Sequence, residues 1–370
     1  VQTRRQFLGN TAVLAAASML PMTARAQQSP APTDAGNKIG WALVGIGRLT
    51  EGEILPALAN CKNARLAALV TGHPDKAKPI ISRFGLDPAA VYSYETYDKL
   101  ADNPTVQVIY IVLPNGMHAE YTIRGLRAGK HVLCEKPMAN SPSECQQMID
   151  AAKSAGKKLM IAYRIRREPH NMKAIEICGG GQIGKPRFIS TDHGFQIPPN
   201  VWRTDLKLAG GGALMDVGIY GINASRYLSG EEPVSVAAQR TDNNTDPRFA
   251  QIEEAMAWTL KFPSGLLAEG TSSYNVSGTN HIRVTGESGM LDLEPATGYH
   301  GIHMTGRIKG AHQDFDLPDI DQFVAQMDYF SDCVRNNTDP ITPGEEGLRD
   351  MRIIQAIYES ATTGKLVHLN

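Results

Sequence analysis

Three residues in this chain have the types and setting to move a proton beside a hydride: Lys136, Asp216 and Tyr220. Lys136 lies in Cys134-Glu135-Lys136-Pro137, directly after the short apolar strand His131-Val132-Leu133. Asp216 and Tyr220 follow the glycines at 210, 211 and 212 and stand four residues apart, so on a helix they project from one face. Taking a hydride from a carbon that bears a hydroxyl needs a base for the hydroxyl proton. A tyrosine serves near neutral pH only beside a cation that favours its phenolate, and Lys136 would supply one. Asp216 would orient the substrate hydroxyl or the lysine. The triple glycine lets the backbone pass close to something bulky. In the plainer alternative Lys136 caps a strand and the other two are packing residues.

The hydride acceptor must be held, and the preceding sequence offers a place. Ile39 to Val44 is a short apolar strand running into Gly45-Ile46-Gly47-Arg48-Leu49-Thr50, followed by Ile54, Leu55 and Leu58 at helical spacing. That is the strand, tight turn and helix start of a dinucleotide fold: Gly45 permits the turn, and Gly47 lets N–H groups approach a pyrophosphate. Thr50 stands where a smaller residue usually packs. A second strand, Arg65 to Val70, ends at Thr71-Gly72-His73, without the carboxylate that binds a ribose 2′-hydroxyl. Thr71 and Lys76 would welcome a 2′-phosphate, so NADP is expected rather than NAD. Strands Val106 to Leu113 and Lys158 to Ala162, with helices over 118–128 and 141–155, complete an alternating β-α series. Ser141 with Glu144 caps the second of these helices.

With 370 residues, two domains are expected. After Tyr163-Arg164 comes a helix near 168–178. Strands follow over Pro186 to His193 and near 233–240, 254–262, 266–274 and 280–285, with helices near 319–335 and 346–362. The pattern predicts a Rossmann domain over 39–162 and an α+β domain over 163–370 with a large, open, mostly antiparallel sheet. Helices would cover one face of that sheet, and the other suits a homodimer. A net charge of −1 gives no case for nucleic acid or an anionic membrane. Five cysteines without a Cys-x-x-Cys pair read as core thiols, and the spacing of His300 and His303 does not make a metal site. Arg4-Arg5, the apolar run from Thr11 to Leu20 and Ala24-Arg25-Ala26 predict a twin-arginine (Tat) signal over 1–26. The Tat machinery would then export the folded protein to the periplasm, with a proline-containing arm over 27–38 and no membrane insertion.

Glu135-Lys136-Pro137, the glycine segment with Asp216 and Tyr220, and Pro343-Gly344-Glu345-Glu346-Gly347 resemble the glucose-fructose oxidoreductase branch of the Gfo/Idh/MocA family, its aldose-aldose oxidoreductases most. The resemblance runs from the export signal to the last helix, and Tyr220, where inositol-dehydrogenase relatives carry His, points to this branch. It implies tightly held NADP, with Lys136, Asp216 and Tyr220 catalytic. Matching cofactor contacts are Gly45, Ile46, Gly47, Arg48, Leu49, Thr71, Lys76 and Tyr94, then Leu113, Pro114, Asn115, Glu135, Lys136, Arg164, Trp202, Arg203 and Tyr299. The expected reaction is ping-pong: an aldose goes to its lactone and a second sugar to an alditol. A dehydrogenase that releases NADP each turnover, or a non-catalytic NADP-binding module, is the alternative.

Overall fold

The computed structural model describes residues 37–242 and 245–369. The expected signal over 1–26 and most of the arm lie outside the described residues.

β1 (Ile39–Val44), β2 (Ala64–Val70), β3 (Val91–Tyr92), β4 (Val108–Ile111), β5 (His131–Cys134) and β6 (Leu159–Ile161) form a parallel sheet in the order β3-β2-β1-β4-β5-β6. β1 and β4 are buried along their whole length, the reason they read as unbroken apolar runs. The helices between strands include α1 (Leu55–Asn60), α2 (Pro74–Phe84), α3 (His118–Arg127) and α4 (Pro142–Ala155). α4 begins on Ser141, whose hydroxyl accepts the Glu144 N–H, while the Glu144 carboxylate accepts from the Asn140 N–H and the Ser141 hydroxyl.

After β6 the chain makes a tight turn over Arg164–Arg167 and enters α5 (Pro169–Gly179). The second sheet contains β7 (Pro186–Gly194), β8 (Ser235–Thr241), β9 (Ala255–Lys261), β10 (Leu267–Ser273) and β11 (Thr279–Gly286). It continues with β12 (Gly289–Leu293), β13 (Met304–Ile308), β14 (Ala311–Phe315) and β15 (Val367–His368). The order is β14-β13-β12-β11-β7-β10-β9-β8-β15, antiparallel except between β7 and β10. β9 and β10 alternate buried and exposed residues, as expected of a sheet with one covered face. Between β7 and β8 lie α6 (Leu206–Ala209) and α7 (Ile219–Ser229); α8 (Gln322–Asn336) and α9 (Gly344–Thr363) precede β15. The uncovered face is mixed: Ser190 donates to Glu269, and Thr271 and Thr279 donate to Asp192, while the paired Phe188 and Leu267 are exposed beside them. Strands β12 to β15 extend the sheet beyond those the sequence suggests, because they are short and, in β14, largely exposed.

The expected boundary at 162/163 is crossed by α8. Its Phe323, Met327, Phe330 and Cys333 pack with Trp41, Leu43 and Tyr110 of the first sheet, and the Trp41 indole donates to the Ser331 hydroxyl at 3.0 Å. An amphipathic helix carries no mark of which sheet it covers, so composition along the chain could not place it. Among the described residues no helix is long and apolar enough to cross a membrane. All five cysteines are buried and free of disulfides.

Candidate active site

The dinucleotide turn after β1 is built as its glycines suggest. Gly45 has φ +95°, and a Cβ there would sit 2.3 Å from the Val112 carbonyl. Gly47 faces open space and Arg48 is exposed, so the turn is open on its outer side. Thr50 is fully buried and its hydroxyl donates to the Gly45 carbonyl at 2.7 Å, so the larger residue ties the turn to the helix that follows. That helix opens with a π-helical turn over Thr50–Ile54, with Leu49 as its cap residue.

Beside this turn, Lys76 donates to the Ile46 carbonyl at 2.9 Å, and the buried Thr71 hydroxyl accepts from the His73 N–H. Tyr94 lies against Gly72. After β4, Leu113 packs near Gly45, Pro114 precedes a tight turn, and Asn115 donates to the Ala209 carbonyl at 2.8 Å. Open space at Gly47, a helix start with no side-chain cap, a cation at Lys76 and no carboxylate in Thr71-Gly72-His73 fit a dinucleotide with a 2′-phosphate.

Lys136, at the carboxyl end of β5, meets the second domain. Its ammonium donates to the Asp216 carbonyl at 2.6 Å and lies 3.4 Å from Asp216 Oδ1. Asp216 Oδ2 accepts from the Tyr274 hydroxyl at 3.0 Å and is 3.0 Å from Arg203 Nε. Burial opposes the charge on Lys136, but Tyr220, Asp216 and Glu135 outweigh it and its pKa lies above the ordinary lysine value. Burial likewise opposes the Asp216 carboxylate, yet Arg203, Lys136 and the Tyr274 hydroxyl hold it below the usual range. Asp216 is therefore a saturated counter-ion for two cations. Glu135 is raised by burial and accepts from the Tyr110 hydroxyl at 2.6 Å, which Gln326 of α8 supports in turn.

Two cations reach Tyr220. The Lys136 ammonium faces the ring, 4.6 Å from its centroid, while Arg164 Nη2 donates to the hydroxyl at 3.3 Å. Arg164 is buried and aimed by the Gln322 side chain and the carbonyls of Thr297 and Gly298, with its guanidinium 4.4 Å from the ring centroid of Tyr299. Trp202 stacks under Arg203 at 4.6 Å.

The triple glycine serves three separate approaches within the chain. A Cβ would meet Asn140 at Gly210, the Tyr358 hydroxyl at Gly211 and the Glu253 carbonyl at Gly212. Glu253, buried, accepts from the N–H groups of Gly212 and Leu214 and from the Tyr358 hydroxyl. The π-helical turn Leu214–Gly218 then carries Asp216 into α7 and Tyr220.

Tyr274, Glu253 and His193 escape a reading of the sequence, since they lie far along the chain and in no recurring spacing. His193, buried on β7, stacks on Tyr220 at 26° and 5.9 Å, and neither ring nitrogen has a partner in the chain. Burial pushes its pKa down to about 4, so the imidazole is neutral. Among the described residues no three or more His, Cys, Asp or Glu side chains converge as a metal site; His300 and His303 face Asp319 and Asp314.

The family model for the Gfo/Idh/MocA oxidoreductases, NAD-binding Rossmann fold, matches residues 39–163, and that for their C-terminal α/β domain matches 176–369. The aldose-aldose oxidoreductase of Caulobacter crescentus, solved with glycerol, is 45% identical with a TM-score of 0.88, over 90% of this chain and 100% of that one. D-xylose 1-dehydrogenase [NADP(+)] of Haloarcula marismortui is 32% identical over 91% of this chain and 95% of its own. A 3-ketoreductase of Actinomadura kijaniata, solved with NADP and TDP-benzene, is 25% identical with a TM-score of 0.78, over 88% of this chain and 98% of that one. With both of its domains matched, this chain belongs to the Gfo/Idh/MocA family of oxidoreductases.

Proposed function

We propose that this protein is an NADP-dependent sugar oxidoreductase that couples oxidation of an aldose to its lactone with reduction of a second sugar to an alditol, on a cofactor it retains. The observation that carries this reading is the convergence of Lys136, Asp216, Arg164 and Tyr220 at the edge of a dinucleotide-binding sheet. The names of the Caulobacter and Haloarcula relatives support aldoses and NADP. Thr71 and Lys76, in place of an acid, support the same cofactor.

NADP, when bound, supplies the hydride acceptor and donor for the two halves. Tyr220 as phenolate takes the sugar hydroxyl proton in the oxidative half, and the phenol so formed returns it to the second sugar in the reductive half. Arg164 donates to that oxygen and Lys136 places its charge on the ring, so both stabilise negative charge as it develops. Asp216 holds Lys136 and Arg203 in place.

The predicted export signal supports cofactor retention, because a protein exported folded must recycle the nicotinamide it carries. Holding it for hours needs an off-rate of about 10⁻⁴ per second and, at a typical on-rate, a Kd of about 10⁻¹⁰ M. The open face of the second sheet supports a homodimer. A dehydrogenase with exchangeable NADP is the second reading, favoured by the name of the Haloarcula relative. Product analysis separates them: dialysed protein given two sugars and no NADP yields lactone and alditol in equal amounts under the first reading and neither under the second.

A further inference from the structure

The motif Pro343-Gly344-Glu345-Glu346-Gly347 takes no part in the chemistry described so far, yet it starts α9 and places Glu346 behind the active site. Glu346 and Asp350, one turn apart, point into the space between α9, α7 and the Arg164–Arg167 turn. Asp350 Oδ2 accepts from the Tyr163 hydroxyl at 2.5 Å and from Asn223 Nδ2 at 2.9 Å, and Oδ1 accepts from Arg226 at 2.7 Å. Glu346 accepts from Asn223, Arg226, Arg166 and Arg349. Glu232 takes the remaining bonds of Arg226.

Two of these partners adjoin the catalytic contact. Tyr163 precedes Arg164, and Asn223 lies three residues after Tyr220 on the same helix. We propose that Glu346 and Asp350 are positioning residues that hold these two elements together, and that a proton on Asp350 releases the Arg164–Tyr220 contact.

The hydrogen-bond inventory gives the reason. Arg226 and Asn223 Nδ2 can only donate to the Asp350 carboxylate, and the Tyr163 hydroxyl can accept an added proton only by giving up its own donation to Oδ2, so a bond beside the catalytic contact is lost either way. The acceptor beside Asp350 with no bond to give up is Asn223 Oδ1, buried and without a partner in the chain. Turning the Asn223 amide offers that oxygen to the protonated acid, and withdraws Nδ2 from both carboxylates. The Asn223 bonds, which tie α7 to α9 within one turn of Tyr220, are then lost, while Arg226 further along α7 keeps its bonds to Glu346. Glu346 stays ionised, held down to about 2: burial works against it, and Arg226, Arg349 and Arg166 outweigh burial. Asp350 is raised to about 6, chiefly by burial and further by Glu346, against the opposing pull of Arg226 and the Tyr163 bond. Cys145 of α4 also faces Asp350, with its thiol pushed up to about 12 and uncharged. Asp350 is thus the member of the cluster that titrates as pH falls from neutral.

The inference rests on the sugar-oxidoreductase reading for its kinetic assay alone. Structures of the wild type at pH 8 and pH 5 read the contact directly: Arg164 bonds Tyr220 at pH 8 and has moved away at pH 5, and Asp350→Asn shows the separated arrangement at both. In kinetics, Asp350→Asn has kcat about tenfold below the wild-type plateau and no acid limb, with aldose KM and bound NADP within twofold. Tyr163→Phe removes a bond that favours the ionised acid, so its limb moves to higher pH. An acid limb that survives in Asp350→Asn, an unmoved limb in Tyr163→Phe, or an unchanged Arg164–Tyr220 contact at pH 5 overturns the proposal. A wild type that oxidises no aldose overturns the functional reading instead, and leaves the structural comparison to decide this one.

Discussion

Arg164 Nη2 donates to the Tyr220 hydroxyl across 3.3 Å, while Lys136, the cation the sequence would pair with that hydroxyl, faces the ring. Two cations therefore act on one phenol from different directions. Arg164 comes from the tight turn after β6 and Lys136 from the end of β5. Tyr220 comes from the helix entered through the triple glycine.

Replacing Tyr220 with Phe removes the proton acceptor and leaves the ring that stacks on His193. Steady-state assays should show kcat lower by about 10² to 10⁴, the range of general acid-base contributions. KM for the sugar and the circular dichroism spectrum should stay near wild type.

Asp216→Asn leaves Lys136 and Arg203 without their shared counter-ion. Removing the carboxylate from this part-buried cluster leaves two cations facing each other, so the melting temperature and kcat both fall. The sign with pH follows from the depressed carboxyl. Its stabilising contribution is complete above the ordinary aspartate range and is lost as pH falls through the lower folded value. The melting temperature of the wild type should therefore drop toward that of Asp216→Asn in acid.

Lys76→Ala tests the coenzyme preference. Its ammonium stands at the Ile46 carbonyl beside the dinucleotide turn, where a 2′-phosphate would lie. Equilibrium titration of cofactor-stripped protein should show NADP binding weakened by tenfold or more and NAD binding changed little. Equal losses for both coenzymes would place Lys76 away from the 2′-phosphate.

The Rossmann half was legible in the sequence because its signals are local: an apolar strand, a glycine turn and a capped helix, each within a few residues. Lys136, Asp216 and Tyr220 stood out for the same reason, through glycines and a fixed spacing. Tyr274 and His193 did not, since their relation to Asp216 and Tyr220 arises from pairing of β7 and β10, which no local pattern records. The role of α8 was hidden likewise, because its apolar face fits the first sheet as well as the second. Thr50, which departs from the usual small residue, needed the bond to the Gly45 carbonyl to make sense of it.

Thr50→Ala should lower stability by about 1 kcal/mol through loss of that bond, and weaken NADP retention by loosening the turn. Thermal melts and the cofactor content after dialysis measure the two effects.

The most direct test of the central claim is the absorbance near 340 nm of extensively dialysed protein, with no NADP added, before and after an aldose and then after a second sugar. A rise with the aldose and a fall with the second sugar is the result predicted for a retained, self-recycling cofactor. No change until NADP is supplied would contradict it.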